Sequence, residues 1–398
     1  MDKLIRVTTV PISLLILLKN QLEFMSDFYE VIAVSSGGEG LNQVREQTGV
    51  RTIPIEMTRK ITPIKDLIAL WNLYKLMKQE QPRYVHTHTP KAGLLGMIAA
   101  KMAGVPVRLH TVAGMPLLES KGIKRRVLDI VEKVTYSCAS KVYPNSIHMK
   151  DIILENKYCS PSKLHVIGNG SSNGIDTNHF DPKIFLKGST PALAKMKIRE
   201  EKGIPASDII YCFIGRIVRD KGIKELVNAF VDINKTRPGT RLILVGPFEN
   251  DLDPLDKATE DTITSHPSID WVGFKKDVRP YLFLSDIFVF PSYREGFPNV
   301  VMQAGAMGIP SIVSNINGCN EIIINQENGI IVPPKNDQEL QLAMAKLYDN
   351  PNLRQKMAQN SRGMIISRYE QSYVWNEMLK EYRSFNGVLK EKESELVS

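Results

Sequence analysis

The chain has 398 residues, of which 43% are hydrophobic, so it is long enough to bury two separate cores. Its formal net charge is +8, and residues 1–190 carry 25 Lys+Arg against 16 Asp+Glu. This asymmetry favours an anionic partner for the first half, either lipid headgroups, a phosphorylated acceptor or nucleic acid, and a solvated basic surface is the alternative. No nucleic-acid motif accompanies the charge, so we predict no nucleic-acid partner.

Cysteine usage and the N-terminal stretch indicate the compartment. Four cysteines lie far apart without a CxxC spacing, which predicts a reducing cytosol and neither disulfides nor a zinc site. The stretch 1–20 combines Lys3 and Arg6 with an apolar run, as a signal peptide does, but Pro11 and Ser13 interrupt that run. We therefore expect a strand at Leu4–Thr8 and a following helix, and no segment that crosses a membrane.

Strand and helix patterns alternate through the first half. The predicted strands are Tyr29–Val34, Tyr84–His88, Val107–Thr111, Lys141–Tyr143 and Leu164–Ile167. The predicted helices are Asn42–Gln47, Leu67–Gln81, Ala92–Ala103 and Lys124–Ala139, and Ser36–Gly40 is predicted as a loop. This alternation predicts the α/β class, with a parallel sheet wrapped by helices on both faces.

The second half repeats the α/β pattern. Its predicted strands are Ile209–Ile214, Arg241–Val245, Ile269–Val272, Ile287–Phe290 and Ile309–Val313. Its predicted helices are Ile223–Asn234, Val278–Leu284 and Asn299–Met307, followed by a last helix near Tyr369–Phe385. A charged, proline-punctuated stretch at Thr190–Pro205 places the boundary near 190. We predict one domain over 1–190, a second over 191–370, and a returning helix with a charged tail over 371–398.

Two loops that follow predicted buried strands carry the chemistry of the second half. Arg216 and Lys221 lie between a strand and a helix start, where two cations and free backbone N–H groups suit a diphosphate. Glu295 precedes Gly296, which allows close approach of backbone to a ligand. Parallel strands place such loops at one edge of the sheet, so these residues form a candidate ligand site.

The sequence Glu295-Gly296-Phe297-Pro298 resembles the donor-sugar loop of retaining glycosyltransferases of family 4, which have the GT-B fold. That family has a second Glu eight positions after the first, where this chain has Gln303, and we assign its ribose-binding role to that amide. The resemblance implies a diphosphate site at Arg216 and Lys221 and nucleobase contacts at Val272 and Gly273. The implied donor-binding residues are Gly215, Arg216, Lys221, Val272, Gly273, Glu295, Gly296, Phe297, Pro298, Asn299 and Gln303.

The same resemblance assigns an acceptor side to the first half. His110 ends a predicted strand where family members carry a histidine near the anomeric carbon, so it joins Glu295, Arg216 and Lys221 as a catalytic candidate. The implied acceptor-binding residues are His88, Thr89, Lys91 and Met115. The apolar stretch Met115–Leu118 and the cations Lys121, Lys124, Arg125 and Arg126 also predict contact with an anionic membrane surface, with core packing as the alternative.

Taken together, the resemblance implies two Rossmann-like domains whose parallel sheets face an interdomain cleft. The implied reaction moves a sugar from a nucleoside-diphosphate sugar, uridine-linked, to a polyprenyl-diphosphate-linked glycan with retained anomeric configuration. It implies no metal and no cofactor, and a place at the inner face of the plasma membrane in capsule, O-antigen or other glycan assembly. The alternatives are a sugar-nucleotide 2-epimerase of similar shape and a non-catalytic two-domain sugar-binding protein.

Overall fold

The computed structural model describes residues 1–115, 117, 120–249 and 253–397. It divides into two compact units. Unit 1 holds residues 1–174 together with the C-terminal segment from Gln371, and unit 2 holds Ile175–Glu370. The first boundary between the two units therefore follows Gly174, whereas the sequence predicts it near 190. The physical reason is that Ile175 and Phe180 belong to the hydrophobic core of unit 2.

Unit 1 contains a parallel sheet that has six strands within the described residues, in the order β3-β2-β1-β4-β5-β6. The strands are β1 Lys3–Val7, β2 Glu30–Ser35, β3 Arg51–Pro54, β4 Tyr84–Thr87, β5 Val107–Val112 and β6 Lys141–Pro144. The helices are α1 Pro11–Leu17, α2 Gln21–Ser26, α3 Glu39–Thr48, α4 Pro63–Glu80, α5 Pro90–Ala103, α6 Gly122–Cys138 and α7 Ile147–Glu155.

Helices cover both faces of this sheet. From β1, the strand order proceeds in one direction to β3 and in the other to β6, so right-handed crossovers place their helices on opposite faces. The buried side chains of α4, α5 and α6 share one core with inward residues such as Ile5 and Val34. The other face is covered by α1, α2 and α3 together with the C-terminal helix α16 (Gln371–Val397). Because β3 runs next to β2 before the chain returns to β4, the sheet changes winding direction between β1 and β4.

A buried hydrogen-bond network attaches α16 to unit 1. Tyr382 accepts a bond of 2.8 Å from the fully buried Arg6 of β1, and its hydroxyl lies 2.6 Å from Nδ1 of His86 on β4. Arg6 also donates to Gln21 of α2. A buried guanidinium requires such partners, so these contacts explain why the C-terminal helix groups with the first unit.

Unit 2 repeats the topology, with the order β12-β11-β10-β7-β8-β9 within the described residues. The strands are β7 Ile209–Ile214, β8 Thr240–Val245, β9 Ile269–Trp271, β10 Ile287–Phe290, β11 Ser311–Ser314 and β12 Gly329–Val332. The remaining helices are α8 Pro191–Glu201, α9 Ile223–Thr236, α10 Lys257–Ser265, α11 Arg279–Leu284, α12 Asn299–Ala306, α13 Cys319–Ile322, α14 Asp337–Asp349 and α15 Pro351–Tyr369.

An ion-pair cluster anchors the start of unit 2. The carboxylate of Asp286 lies 2.7 Å from Lys195 and 2.6 Å from Arg199, both on α8, and it accepts the backbone N–H of Ile210. The predicted linker at Thr190–Pro205 thus contains a helix that is fixed to the second sheet. Tertiary contacts, which composition does not reveal, decide its structure.

Several predicted elements differ from the structure. Leu164–Ile167 is not a strand, because Leu164 forms an isolated bridge to Val142. The predicted loop at Ser36–Gly40 already enters α3 at Glu39. The strands β3 and β12 and the helices α2, α7, α10, α13, α14 and α15 were not predicted from the sequence. Within the described residues, none of the helices has both the length and the apolar character that crossing a bilayer requires.

Candidate active site

The loops after β7 and β10 lie side by side at the point where the second sheet changes direction. The two strands are neighbours, with Ile287 opposite Tyr211 and Phe288 opposite Cys212. In open α/β sheets, ligands bind outside the carboxyl ends of the strands at such a point. The loop after β7 carries Arg216 and Lys221, and the loop after β10 carries Glu295.

The shortest contact between the two loops joins Lys221 to Glu295. The Lys221 Nζ lies 2.5 Å from Oε1 of Glu295, although the residues are 74 positions apart in the chain. Ser292 donates from its hydroxyl to the same carboxylate oxygen at 3.2 Å. The candidate diphosphate cation and the candidate sugar-binding carboxylate are therefore direct neighbours.

Arg216 is also paired with carboxylates. Its Nη1 lies 2.7 Å from Oε2 of Glu249, and its Nη2 lies 3.9 Å from Oδ2 of Asp220. The hydrogen bond to Glu249 raises the pKa of Arg216, and the charge of Glu295 acts in the same direction. Each of the two candidate cations therefore already lies beside at least one carboxylate.

Asn317 fixes the loop that carries Glu295. Its side-chain amide donates to the backbone oxygens of Glu295, at 3.1 Å, and of Gly296, at 2.6 Å. Asn317, Ser292 and Glu249 were not predicted as site residues from the sequence. The Asn-rich composition after β11 was the available signal for Asn317.

Two glycines allow the loops to approach closely. A Cβ on Gly222, which has φ of +68°, would lie 2.1 Å from the backbone oxygen of Pro291. A Cβ on Gly318, which has φ of +74°, would lie 2.6 Å from the backbone oxygen of Gly296. Both positions combine a left-handed backbone with contact to the loop after β10, so any side chain there would displace that loop.

The other donor-side candidates lie at the same sheet edge. Gly215 follows β7 directly and its N–H donates to the backbone oxygen of Val245. Val272 and Gly273 follow β9, and the backbone oxygen of Gly273 accepts from Gly246. Pro298 precedes α12 as its N-cap, Asn299 begins that helix and Gln303 lies within it. Phe297 packs edge-on against Tyr369, with ring centroids 5.3 Å apart.

In unit 1, the predicted acceptor-side histidines lie at the corresponding sheet edge. His110 on β5 is buried, and its Nδ1 lies 2.7 Å from the hydroxyl of Thr87. Burial lowers the pKa of His110 to about 4, so its imidazole is neutral near pH 7. His88 follows β4 and is 3% exposed, and neither of its ring nitrogens has a hydrogen-bond partner in the described residues.

Thr89 and Lys91 are both engaged within unit 1. The hydroxyl of Thr89, at the N-cap of α5, lies 2.7 Å from that of Thr9 in the loop after β1. The ammonium of Lys91 lies 2.7 Å from Asp66 and also donates to the backbone oxygen of Lys60. An acceptor phosphate would therefore compete with Asp66 for Lys91.

The residues of the loop that was predicted to contact a membrane differ in their exposure. Met115 and Leu117 are buried, and Pro116 and Leu118 lie outside the described residues. Arg125 is paired with Asp129 at 2.9 Å and also donates to the hydroxyl of Tyr158. Its guanidinium is thus part of the protein's own network, whereas Lys121, Lys124 and Arg126 are exposed.

Similarity to known families supports a glycosyltransferase function over the alternatives. Residues 194–364 match the family described as Glycosyl transferases group 1, and residues 22–170 match the Glycosyl transferase 4-like domain. The "Capsular polysaccharide biosynthesis glycosyltransferase CapM" of Staphylococcus aureus is 31% identical over 379 residues, which cover 95% of each chain. The chain belongs to the group 1 glycosyltransferases. It is therefore a glycosyltransferase.

Further relatives extend the comparison. The "UDP-Gal:alpha-D-GlcNAc-diphosphoundecaprenol alpha-1,3-galactosyltransferase" of Escherichia coli is 31% identical over 322 residues, covering 79% of this chain and 78% of the relative. Anabaena Alr3699/HepE, solved in complex with UDP, matches with a TM-score of 0.77 and 17% identity over 96% of this chain and 100% of that chain. Sucrose-phosphate synthase from Thermosynechococcus elongatus matches with a TM-score of 0.76 and 18% identity over 98% and 100% of the two chains. The expected GT-B fold is confirmed.

Proposed function

We propose that this glycosyltransferase takes its sugar from a uridine-diphosphate sugar and transfers it, with retained anomeric configuration, to a polyprenyl-diphosphate-linked glycan. The observation that carries the donor half is the contact between Lys221 and Glu295, with Arg216 beside them. Two cations suit the two charges of a departing diphosphate, and a carboxylate suits the hydroxyl groups of a sugar.

In the proposed reaction, the diphosphate displaces the carboxylates from the two cations. Lys221 leaves Glu295 and Arg216 leaves Glu249, so that both bind phosphate oxygens. The bond from the anomeric carbon to the phosphate oxygen breaks, and charge that develops on that oxygen is stabilised by the two side chains. Glu295, released from Lys221, then accepts hydrogen bonds from sugar hydroxyls, and Gln303 binds the ribose.

For retention, the acceptor oxygen attacks the anomeric carbon from the face that the diphosphate leaves. The new bond joins that carbon to the acceptor oxygen, and the acceptor proton passes to the departing phosphate. His110 would serve near this centre as a neutral polar group, because burial keeps its pKa near 4. His88 is the further proposed contact to the acceptor, and its buried ring nitrogens have no hydrogen-bond partner within the described residues.

The relatives support the choice of donor and acceptor. The printed name of the Escherichia coli enzyme includes a uridine-linked galactose and a diphosphoundecaprenol acceptor. A Campylobacter jejuni relative that is 26% identical over 358 residues is named "N,N'-diacetylbacillosaminyl-diphospho-undecaprenol alpha-1,3-N-acetylgalactosaminyltransferase". With the capsular relative CapM, these names favour capsule, O-antigen or other lipid-linked glycan assembly as the process.

We further propose that the reaction needs neither a metal nor a cofactor, because Arg216 and Lys221 supply the positive charge that a divalent cation would otherwise contribute. A polyprenyl-linked acceptor places the enzyme at a membrane. The excess of cations in residues 1–190 favours the anionic inner face of the plasma membrane, with the enzyme on its cytoplasmic side.

A donor screen tests the proposal. Purified enzyme is offered uridine-, guanosine- and thymidine-diphosphate sugars, with and without a lipid-linked acceptor, and nucleoside diphosphate release is measured in buffer that contains EDTA. We expect release from a uridine-linked sugar only when acceptor is present, unaffected by EDTA, and a product whose anomeric coupling constant matches that of the donor. Release without acceptor would instead favour the epimerase, and loss of activity in EDTA would refute metal independence.

A further inference from the structure

The outer surface of α4 carries a continuous apolar stripe. Ile64, Leu67, Ile68 and Trp71 follow the spacing of one helix face, and each exposes between 52% and 77% of its surface. Ile61, just before the helix, is 72% exposed. Scattered exposed apolar residues need no explanation, but four on one helical face with a fifth just before the helix form a patch that monomeric proteins rarely leave uncovered.

Cations surround this stripe and continue it. Arg59 and Lys60 precede it, Lys65 lies beside it, and Lys75 and Lys78 extend its line towards the C-terminus of α4; all five are exposed. The ammonium of Lys75 lies 5.6 Å from the ring centroid of Trp71. The stripe is thus an apolar strip with positive charge at both ends and along one side.

A second stripe of the same kind occurs on α6. Ile123, Val127 and Ile130 lie at helical spacing and are exposed. Lys124, Arg126 and Lys133 are exposed around them. Both helices pack against α5 and contribute to the same core, so the two stripes lie on the outer surface of one helical layer.

Acidic side chains are few on α4 and α6, which the structure describes in full, and those that reach the surface are paired. Their four acidic residues are Asp66, Glu80, Asp129 and Glu132. None of them is fully exposed, and Glu80 and Glu132 are buried. Asp66 is paired with Lys91, Glu80 with Lys3 and Arg51, and Asp129 with Arg125.

We propose that this outer surface of α4 and α6, hereafter the docking face, inserts its apolar stripes into the headgroup layer of an anionic lipid bilayer. The inference rests on the proposed function, because a lipid-linked acceptor would be met at that bilayer. It places the membrane contact mainly on α4, whereas the sequence predicts it at Met115–Leu118 and the cations that follow.

The chemistry of the docking face favours lipid over a protein partner. Aliphatic side chains beside a tryptophan suit the boundary between acyl chains and headgroups, while lysines suit anionic phosphates just above it. A second copy of this chain would bring the same uncompensated cations against each other, and like charges oppose such an interface. The lysines and the apolar stripe therefore both favour an anionic lipid surface.

Vesicle binding tests this assignment. Full-length protein is sedimented with phosphatidylglycerol–phosphatidylcholine vesicles and with pure phosphatidylcholine vesicles, at low and high salt. We expect binding to the anionic vesicles that weakens with salt. Because about 1 kcal/mol is gained per lysine near an anionic surface, Lys75→Gln and Lys78→Gln should each weaken binding about fivefold.

Apolar variants give the sharper comparison. The combined variant Ile64→Ser, Leu67→Ser and Trp71→Ser should weaken vesicle binding more than about a hundredfold, since each large side chain contributes about 1.5–3 kcal/mol when buried. The control replaces three exposed apolar residues of unit 2 by serine, at Leu193, Leu342 and Ile366, and should bind as the parent does. Melting temperatures of both variants should match the parent, because the replaced side chains are exposed.

Trp71 provides a direct optical readout. Trp375 donates to Asn173 and Trp271 donates to the backbone oxygen of Gly246, so both remain in place when vesicles are added. The fluorescence of the parent should shift to shorter wavelength with anionic vesicles, and Trp71→Phe should lose most of that shift while still binding.

The outcomes separate this inference from the proposed function. Sugar transfer to a detergent-dispersed acceptor should survive in the serine variant of the docking face. If the parent protein transfers sugar but does not bind vesicles, the docking face is overturned and the proposed function is not. Vesicle binding without transfer from any donor would overturn the proposed function and leave the docking face standing. A dimer in light scattering that the variant dissociates, without any change in vesicle binding, would assign the face to a second copy and overturn the lipid assignment.

Discussion

Replacement of Lys221 by methionine should slow sugar transfer by about a hundredfold. The Lys221 side chain is 13% exposed and its ammonium lies 2.5 Å from Glu295, so it acts in a largely desolvated setting. A hydrogen bond to a charged group is worth about 1.5–3 kcal/mol, which corresponds to about 10- to 150-fold in rate. We expect the upper part of this range, because Lys221→Met also leaves Glu295 facing the diphosphate without a cation between them.

Two measurements distinguish the roles of the two partners. Lys221→Met should weaken UDP binding in calorimetry as well as lower kcat, because the cation binds the diphosphate itself. Glu295→Gln should lower kcat about tenfold but leave UDP binding unchanged or tighter, because it releases Lys221 for the diphosphate. Lys224→Met is the matched control, since Lys224 lies three residues further along, in the first turn of α9, where it is paired with Asp256 and is half-exposed. Unchanged turnover in both Lys221→Met and Glu295→Gln would refute the assignment.

Three further predictions follow from contacts around the site and from the buried histidines. Glu249→Gln should tighten UDP binding several-fold in calorimetry, because it frees Arg216 from a partner at 2.7 Å; weaker binding would contradict this. Asn317→Ala removes two hydrogen bonds of about 1 kcal/mol each, so kcat should fall by up to about thirtyfold and amide exchange of residues 295–298 should quicken. Burial lowers the pKa of His110 to about 4, against about 6.5 in the unfolded chain. The unfolded chain therefore binds more protons between those pH values, and the unfolding free energy should fall as pH drops through that window, by up to about 1.4 kcal/mol per pH unit per histidine. Denaturant titration should show a smaller slope for His110→Asn.

Much of the fold was predictable because its signals are local. The strands β7 and β10 have uninterrupted apolar sequences, Ile209–Ile214 and Ile287–Phe290. Such short apolar runs are typical of strands that are buried on both faces of a parallel sheet. The strand β3, Arg51–Pro54, was missed because it has exposed ends and no buried residue. The boundary near 190 was placed too late because charge and proline mark loops, whereas Ile175 and Phe180 join the second core through tertiary packing.

The site was predictable only in part for a related reason. The loop Glu295–Pro298 is a contiguous motif, so its residues could be identified without knowing their neighbours. Glu249 and Asn317 act through contacts with residues 33 and 21–22 positions away. The Asn-rich loop after β11 marks Asn317 as a turn residue, but local sequence identifies the partners of neither residue. The engagement of Lys91 by Asp66 was hidden for the same reason, because α4 and α5 are separate elements that meet only in the folded unit.

A structure of the enzyme with a bound uridine-diphosphate sugar tests the central claim most directly. The account predicts that the diphosphate lies between the loops after β7 and β10, with Lys221 moved from Glu295 to a phosphate oxygen and Arg216 moved from Glu249. The carboxylate of Glu295 should then contact sugar hydroxyls. A nucleotide bound elsewhere, with the Lys221–Glu295 and Arg216–Glu249 pairs intact, would contradict it.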